Sequence, residues 1–135
     1  NRFEELEVVN EDERNIWLRV GAGMNWHETV LHTVRNGWWG VENLSLIPGN
    51  CGAAPMQNIG AYGVEIKDVL TSVEFINLSD GQVVTYENSQ CDFGYRESVF
   101  KKELKNKVLI TAITLKLNKQ PSPLLLAIWI AKSKN

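Results

Sequence analysis

The sequence predicts a domain of the α+β class, with an antiparallel sheet and helices on one side of it. Several short segments alternate apolar and polar residues, one longer segment has helical spacing, and a turn signal joins two of the strands. Because domains cluster around about 100–150 residues, the 135 residues suit one domain with its own core. With 44% apolar and 22% charged residues, the composition is typical of a globular protein.

The first predicted elements are two strands. Residues 3–9 and 15–20 are rich in strand-forming side chains, and the largely acidic residues 10–13 between them suit a turn. Within the second strand, Ile16, Leu18 and Val20 occupy alternate positions, which predicts one buried face.

A helix is predicted over residues 26–36. Asn25 is a suitable N-cap, and Gly37 is a residue type that commonly follows a helix C-terminus. The apolar residues of the segment share one helical face: Trp26, Val30, Leu31 and Val34.

The second half of the chain supplies the remaining strands. Residues 69–78 alternate, and Ser79-Asp80-Gly81-Gln82 is a hairpin turn that leads into a strand at 83–86. The last predicted strand covers residues 108–117. This arrangement favours an antiparallel sheet over a parallel one.

Charge and composition exclude several function classes. A net charge of −2 provides no bulk positive charge for nucleic acid, and no segment approaches the roughly 18 apolar residues of a membrane helix. Cys51 and Cys91 lack the spacing of a zinc site, so we expect reduced thiols, a cytoplasmic location and no bound metal. His27 and His32 are five residues apart, which does not place them on one helical face.

The most unusual segment is residues 43–64, where 22 consecutive residues carry no charged side chain. Solvent loops normally carry charge, so this neutral segment is expected to pack its backbone closely against another surface. Its glycines permit tight turns and close approach to a flat ligand, and consecutive N–H groups in such turns can bind an anion. The same pattern also suits a tightly packed structural loop, and spacing alone leaves both interpretations open.

Two motifs carry a family resemblance. The sequence VENLSLIPGNCGAAPMQNIGAYG, followed by CDFGYRESVFK, resembles the UDP-N-acetylenolpyruvoylglucosamine reductase (UDP-N-acetylmuramate dehydrogenase, MurB) family of bacterial flavoenzymes. The likeness extends over residues 3–117 and implies the second subdomain of a vanillyl-alcohol-oxidase/PCMH-type FAD-binding fold. It divides the chain into an FAD-binding subdomain, residues 1–118, and an atypical C-terminal tail, residues 119–135, for which a helix is expected.

The resemblance implies FAD as the cofactor and NADPH as the reductant. Small or apolar residues suit the flavin and adenine surfaces, and a charge beside them would perturb the redox centre. The alternative for Ile59 and Ile110 is ordinary core packing. The residues expected to contact FAD are Ile47, Gly49, Gly52, Ala53, Met56, Ile59, Gly60 and Ile110.

The implied substrate is a UDP-sugar of peptidoglycan precursor synthesis, which links the family to cell wall biogenesis, cell shape and cell division. Tyr62 and Tyr95 align with substrate-contacting tyrosines, and buried or strand-edge aromatics are the alternative. Arg96 is the expected catalytic residue, because a guanidinium can stabilise charge that develops on a substrate carboxylate. The alternative for Arg96 is a surface pair with Glu97 or Asp92.

Complete members of this family have further domains, which contribute another glycine-rich loop, a serine acid and a glutamate. The chain is therefore interpreted as a central fragment that depends on the remaining domains of a parent enzyme and is inactive alone. A stand-alone noncatalytic or degenerate FAD-binding-like domain is the alternative. The apolar tail predicts possible self-association.

Overall fold

An antiparallel sheet forms the centre of the molecule in a computed structural model that describes residues 2–134. The helices of the chain are α1 (Trp26–Arg35) and α2 (Pro123–Ser133), together with short 3₁₀ helices. The strands, in chain order, are β1 (Leu6–Glu11), β2 (Asn15–Gly21), β3 (Gly60–Ala61), β4 (Val64–Glu65), β5 (Leu70–Asn77), β6 (Val83–Glu87) and β7 (Val108–Asn118).

The main sheet has five strands in the order β1-β2-β7-β5-β6, and each neighbouring pair is antiparallel. β3 and β4 form a separate two-stranded hairpin. The predicted α+β class with an antiparallel sheet is confirmed.

The first strand differs from its prediction. It covers Leu6–Glu11 rather than residues 3–9, because Phe3 lies in a short 3₁₀ helix and the turn into β2 is shorter than expected. The Asp12 carboxylate accepts hydrogen bonds from the backbone N–H groups of Arg14 (2.9 Å) and Asn15 (2.7 Å). This side-chain turn frees residues 10 and 11 to pair with β2.

The buried face of the sheet follows the predicted alternation. Ile16, Leu18 and Val20 are fully buried, and they share one core with side chains of α1 and of β5 and β7. Each such aliphatic side chain stabilises the fold by about 1.5–3 kcal/mol through burial. The largest buried side chains of this core are Trp26 and Phe100.

Helix α1 begins at the predicted cap. The side chain of Asn25 accepts a hydrogen bond of 2.9 Å from the backbone N–H of Glu28, and the helix ends at Arg35. Asn36 is the C-cap, and Gly37 follows with φ +72°, a left-handed conformation that glycine adopts without strain.

The neutral segment, residues 43–64, folds as a series of turns attached to the junction of β2 and α1. The indole N–H of the buried Trp26 donates to the carbonyl of Leu44 at 2.9 Å, and the N–H of Cys51 donates to the carbonyl of Met24 at 2.8 Å. The backbone therefore packs against the body of the domain, as the absence of charge indicated.

The hairpin of β3 and β4 was not predicted, because strands of two residues carry no readable alternation. Tyr62 and Gly63 form its turn, with φ values of +54° and +78°. Positive φ at both central residues is the requirement of a type I′ turn, and a tyrosine in this conformation is strained. The turn directs Tyr62 outward.

The tail forms helix α2, which begins with Pro123 in its first turn. Its side chains are half-buried or exposed, and Leu124 retains 70% of its accessible surface. Among residues 2–134, no helix has the length and apolar character required to cross a membrane. Self-association through α2, and the division of the chain at residue 118, stay predictions.

Candidate functional site

Residues of the neutral segment and of β7 line a cavity of about 400 Å³, here called cavity A. Four residues that the sequence assigned to a flavin lie in its wall: Gly52, Ala53, Met56 and Ile110. Within the described part of the chain, no charged side chain lines this cavity. The wall is otherwise formed by Phe3, Ala22, Gly23, Asn50, Phe100, Leu104, Asn106, Val108 and Leu109.

A second cavity of about 350 Å³, cavity B, adjoins the first, since Asn50 and Ala53 line both. Ile47 and Ile59, also assigned to the flavin, lie in its wall beside the buried Trp26. The described residues that line cavity B are uncharged as well. Six of the eight expected cofactor residues thus surround two neighbouring neutral cavities.

The two remaining glycines lie outside both walls. Gly49 has φ +113°, and its carbonyl accepts a 2.9 Å hydrogen bond from the N–H of Trp26 at the start of α1. A Cβ at Gly49 would meet no atom within 4 Å, so the space beside its backbone is open. Gly60 instead lies beside Arg96, on a different face of the segment.

Gly60 belongs to an open groove of about 450 Å³, here called groove C. The structure brings together in this groove the three residues assigned to the substrate, Tyr62, Tyr95 and Arg96. Tyr62 is 58% exposed and Tyr95 is 81% exposed, so neither is the buried core aromatic considered as an alternative. The remaining lining residues are Ala61, Gly63, Val64, Glu65 and Lys67.

The guanidinium of Arg96 is held by backbone carbonyls and by one carboxylate. Its Nη2 donates to the carbonyl of Gly60 at 2.9 Å, and its Nη1 lies 3.8 Å from Oε2 of Glu65. Its Cζ lies 4.9 Å from the centroid of the Tyr95 ring. The side chain nevertheless stays 37% exposed, so a fixed cation faces the groove.

Neither partner considered for a surface pair contacts the Arg96 side chain through an ion pair. Glu97 lies 3.5 Å from the ammonium of Lys101, and Asp92 lies 3.0 Å from that of Lys102. Arg96 has φ +52°, and its guanidinium reaches the Gly60 carbonyl in the hairpin. Among the described residues, the carboxylate paired with Arg96 is that of Glu65, and neither Glu97 nor Asp92 is its partner.

Sequence reasoning missed two residues that organise groove C. Asn58 is fully buried, and its Nδ2 donates to Oε2 of Glu65 at 2.9 Å and to the carbonyl of Gly94 at 2.9 Å. Glu65 in turn faces Arg96. The sequence could have indicated Glu65, because it is the first charged residue after the neutral segment and therefore lies next to the expected cofactor loop.

Comparison with known protein families identifies the chain. The profile of a family described as "FAD binding domain" matches residues 2–87, which is more than half of the sequence. The chain belongs to this FAD-binding family.

Curated relatives of this FAD-binding chain carry one name. A protein of Amoebophilus asiaticus is 51% identical over 117 residues, and one of Aliivibrio fischeri is 52% identical over 117 residues. Both are named UDP-N-acetylenolpyruvoylglucosamine reductase, and in both cases the match covers 87% of this chain and 34% of the relative. The resemblance seen in the two motifs is confirmed, and the chain spans about a third of the length of these relatives.

A solved structure extends the similarity to the fold. The reductase MurB of Thermus caldophilus matches with a TM-score of 0.77 and 28% identity. The match covers 99% of this chain and 45% of that protein. The FAD-binding fold predicted from the resemblance is confirmed.

The residues of this FAD-binding chain fit the cofactor of the family. Flavin and adenine rings are flat and uncharged, and cavities A and B offer small and apolar walls without charged side chains among the described residues. Open space beside the left-handed Gly49 would permit close approach to its backbone. The chemistry of the walls agrees with FAD, although the role of each residue stays a prediction.

Substitution of Gly52 tests how closely the cofactor loop packs on the sheet. A Cβ at Gly52 would lie 2.7 Å from the Cβ of Ala22, so Gly52→Ala should displace the loop and lower the free energy of unfolding by about 1–3 kcal/mol. Gly94→Ala is the matched control, because its Cβ would meet nothing closer than 3.7 Å. Urea unfolding measures both variants, and equal stabilities would contradict the packing argument.

The two cysteines are buried, free and unreactive in character. Burial raises the pKa of the Cys51 thiol to about 11, although the hydroxyl of Thr29, 3.3 Å from the sulfur, opposes this effect. Burial also raises the pKa of Cys91 to about 12, and the charge of Glu87 adds to the effect. Both thiols are therefore protonated at neutral pH, and neither is a nucleophile for catalysis.

These thiols predict a loss of stability in alkaline solution. The unfolded chain releases both protons near the ordinary thiol pKa of 9.0, whereas the folded chain retains them to about 11 and 12. Their contribution to stability is complete below pH 9 and is lost as the pH rises toward these values. Urea unfolding between pH 8 and about 10.5 should show a shallower decline for the Cys51→Ala, Cys91→Ala double variant, and parallel declines would contradict the assignment.

The histidines have structural contacts. Nδ1 of His27 accepts a hydrogen bond of 3.0 Å from the N–H of Leu46, and the ring of His32 lies 5.8 Å from that of Trp38. Across residues 2–134, no three His, Cys, Asp or Glu side chains are grouped so as to hold a metal ion.

Proposed function

We propose that the chain is the FAD-binding part of an NADPH-dependent reductase of a UDP-sugar. The reaction would convert UDP-N-acetylglucosamine enolpyruvate to UDP-N-acetylmuramate, a peptidoglycan precursor. The observation that carries this proposal is Arg96, a partly exposed cation that lines one groove together with two exposed tyrosines. The name shared by the curated relatives supports the same substrate.

Cavities A and B are proposed to hold FAD through the six residues in their walls, with Gly49 and Gly60 completing the contact surface. When bound, FAD supplies the hydride chemistry that couples oxidation of NADPH to reduction of the substrate double bond. The apolar walls would exclude water from the ring system. Because the described lining residues are uncharged, no fixed neighbouring charge among them would perturb the cofactor potential.

Arg96 is proposed to stabilise the charge that develops on the substrate. Addition of hydride to one carbon of the enolpyruvyl double bond leaves negative charge, which spreads onto the adjacent carboxylate. A guanidinium is permanently protonated and offers paired donors to such a carboxylate. The carbonyl of Gly60 and the carboxylate of Glu65 fix its orientation before the substrate arrives.

Tyr62 and Tyr95 are proposed to bind the sugar nucleotide. Both rings are exposed at groove C, where their faces can pack on sugar or base and their hydroxyls can hydrogen-bond. We assign no proton donor for the second half of the reduction, which would come from other domains of the parent enzyme. A cytoplasmic location and a role in cell wall biogenesis, cell shape and division belong to this same proposal.

An anaerobic flavin assay tests the function. In the complete parent enzyme, NADPH should bleach the flavin absorption, and the UDP-sugar should restore it by reoxidation. Restoration at the same rate without the sugar would contradict the proposal. Bound FAD that the sugar never reoxidises would favour the noncatalytic FAD-binding domain instead.

A further inference from the structure

Helix α2 places a half-buried cation at the edge of groove C. Nζ of Lys132 lies 5.2 Å from the centroid of the Tyr62 ring and donates to the carbonyl of Asn43 at 3.2 Å. It also lies 6.0 Å from the ring of Trp129 on its own helix. These contacts bring the ammonium beside a tyrosine that lines the groove.

The position of Lys132 is fixed from both ends of the helix. Nδ2 of the buried Asn43 donates to the carbonyl of Leu125 in the first turn of α2 at 2.9 Å. The backbone carbonyl of the same asparagine accepts from Lys132 in the last turn. One buried residue therefore aligns α2 along the domain and sets where its lysine emerges.

Lys132 has no counterion among residues 2–134. Of the ion pairs formed within residues 2–134, none includes Lys132, whereas Lys67, Lys101, Lys102 and Lys119 all have carboxylate partners. Burial lowers the pKa of Lys132, because its ammonium exchanges water for one carbonyl and two ring faces. An anion beside it would reverse this penalty.

The surroundings of the groove favour an anionic ligand. Lys67 and Arg96 line it together with one carboxylate, that of Glu65, and both cations already lie within 4 Å of that carboxylate. With Lys132 at the edge, three cations face one acid. A lysine acts toward phosphate as a point charge, whereas the planar fork of Arg96 suits a carboxylate.

We propose that Lys132 is a further substrate-binding residue, which binds the pyrophosphate of the UDP-sugar at the Tyr62 side of groove C. The proposal rests on the proposed function, since it assigns a second anionic group of the same substrate. Arg96 and Lys132 would then divide the substrate between them, the first binding its carboxylate and the second its diphosphate. Helix α2 would contribute to substrate affinity rather than merely cover the domain.

The test uses UDP-N-acetylglucosamine, which carries the pyrophosphate but lacks the enolpyruvyl carboxylate. Calorimetric titration of the complete parent enzyme with bound FAD should show about tenfold weaker binding for Lys132→Met, the loss expected for one charge-assisted contact at a partly exposed site. Lys132→Arg should restore most of the affinity. Lys134→Met, an exposed lysine at the end of the same helix, is the matched control and should bind as the wild type does.

Each outcome is decisive. Unchanged binding by Lys132→Met would overturn this inference while leaving the proposed function intact. Tighter binding would also overturn it, because it would mean that α2 obstructs the groove. No binding of the sugar nucleotide by the complete wild-type enzyme would reject the proposed substrate itself, and the lysine assignment with it. Added salt should weaken the wild type more than Lys132→Met.

Discussion

Replacing Arg96 by methionine in the complete parent enzyme should slow reduction of the UDP-sugar about 10²–10³-fold, while NADPH reduces the bound flavin at the wild-type rate. The Cζ atom of the guanidinium lies 4.9 Å from the centroid of the Tyr95 ring in groove C, and charge develops on the substrate only after flavin reduction. Methionine keeps an unbranched aliphatic side chain at this position, so the loss should be specific to charge. Stopped-flow absorbance separates the two half-reactions.

Two further variants sharpen this result. Arg96→Lys keeps the charge but loses the paired donors, so its rate should lie between those of the wild type and Arg96→Met. Arg35→Met removes an exposed arginine in the last turn of α1 and should leave both half-reactions unchanged. Near-normal sugar turnover by Arg96→Met would contradict the assignment. An equal loss of flavin reduction would show that Arg96 acts by holding the hairpin rather than the substrate.

Much of the fold was predictable because its signals are local. Asn25 marks the start of α1 through a side-chain cap, and the turn at residues 79–82 joins β5 to β6. The first strand was displaced because the Asp12 turn begins later than predicted and leaves residues 10 and 11 free to pair with β2. The hairpin of β3 and β4 was missed because it depends on two left-handed residues and not on a repeated pattern.

The residues of the candidate site were harder to predict from local sequence patterns than the strands and helices were. Met56 and Ile110 line one cavity although they are far apart in the chain, and only the pairing of β7 within the sheet brings the latter to the loop. The family resemblance named both residues, whereas spacing could not. Asn58 and Glu65 were missed since their roles arise from side-chain contacts across two turns.

Sequence and structure agree most closely on the lack of charged side chains in residues 43–64 and in the cavity walls that they form. Residues 43–64 carry no charged side chain, and the structure places several of them in the walls of cavities A and B. The other described residues that line these cavities are uncharged as well. Neutrality is thus a property of the assembled surface and not only of one segment. It should be essential if a flat, uncharged ring system is covered there.

Ala53→Glu tests that requirement at the residue shared by the two cavities. Ala53 is exposed, so the variant should fold with nearly wild-type stability, within about 0.5 kcal/mol. Covering the new carboxylate with FAD would remove its water without supplying a partner. The affinity for FAD should therefore fall about 10²-fold or more, as measured by quenching of FAD fluorescence.

Ala53→Gln separates the charge from the added bulk, because the two side chains have nearly the same shape. The glutamine variant should retain most of the FAD affinity, whereas the glutamate variant should regain affinity as the pH falls from 7 toward about 5. Affinity should rise in acid because a site covered by FAD favours the neutral form of the glutamate carboxyl. The pKa of this carboxyl is therefore raised in the complex, and its protonation favours FAD binding. Equal affinities of the two variants at pH 7 would show that bulk, and not charge, governs the site. A difference that disappears in acid would establish neutrality as the property on which FAD binding at cavities A and B depends.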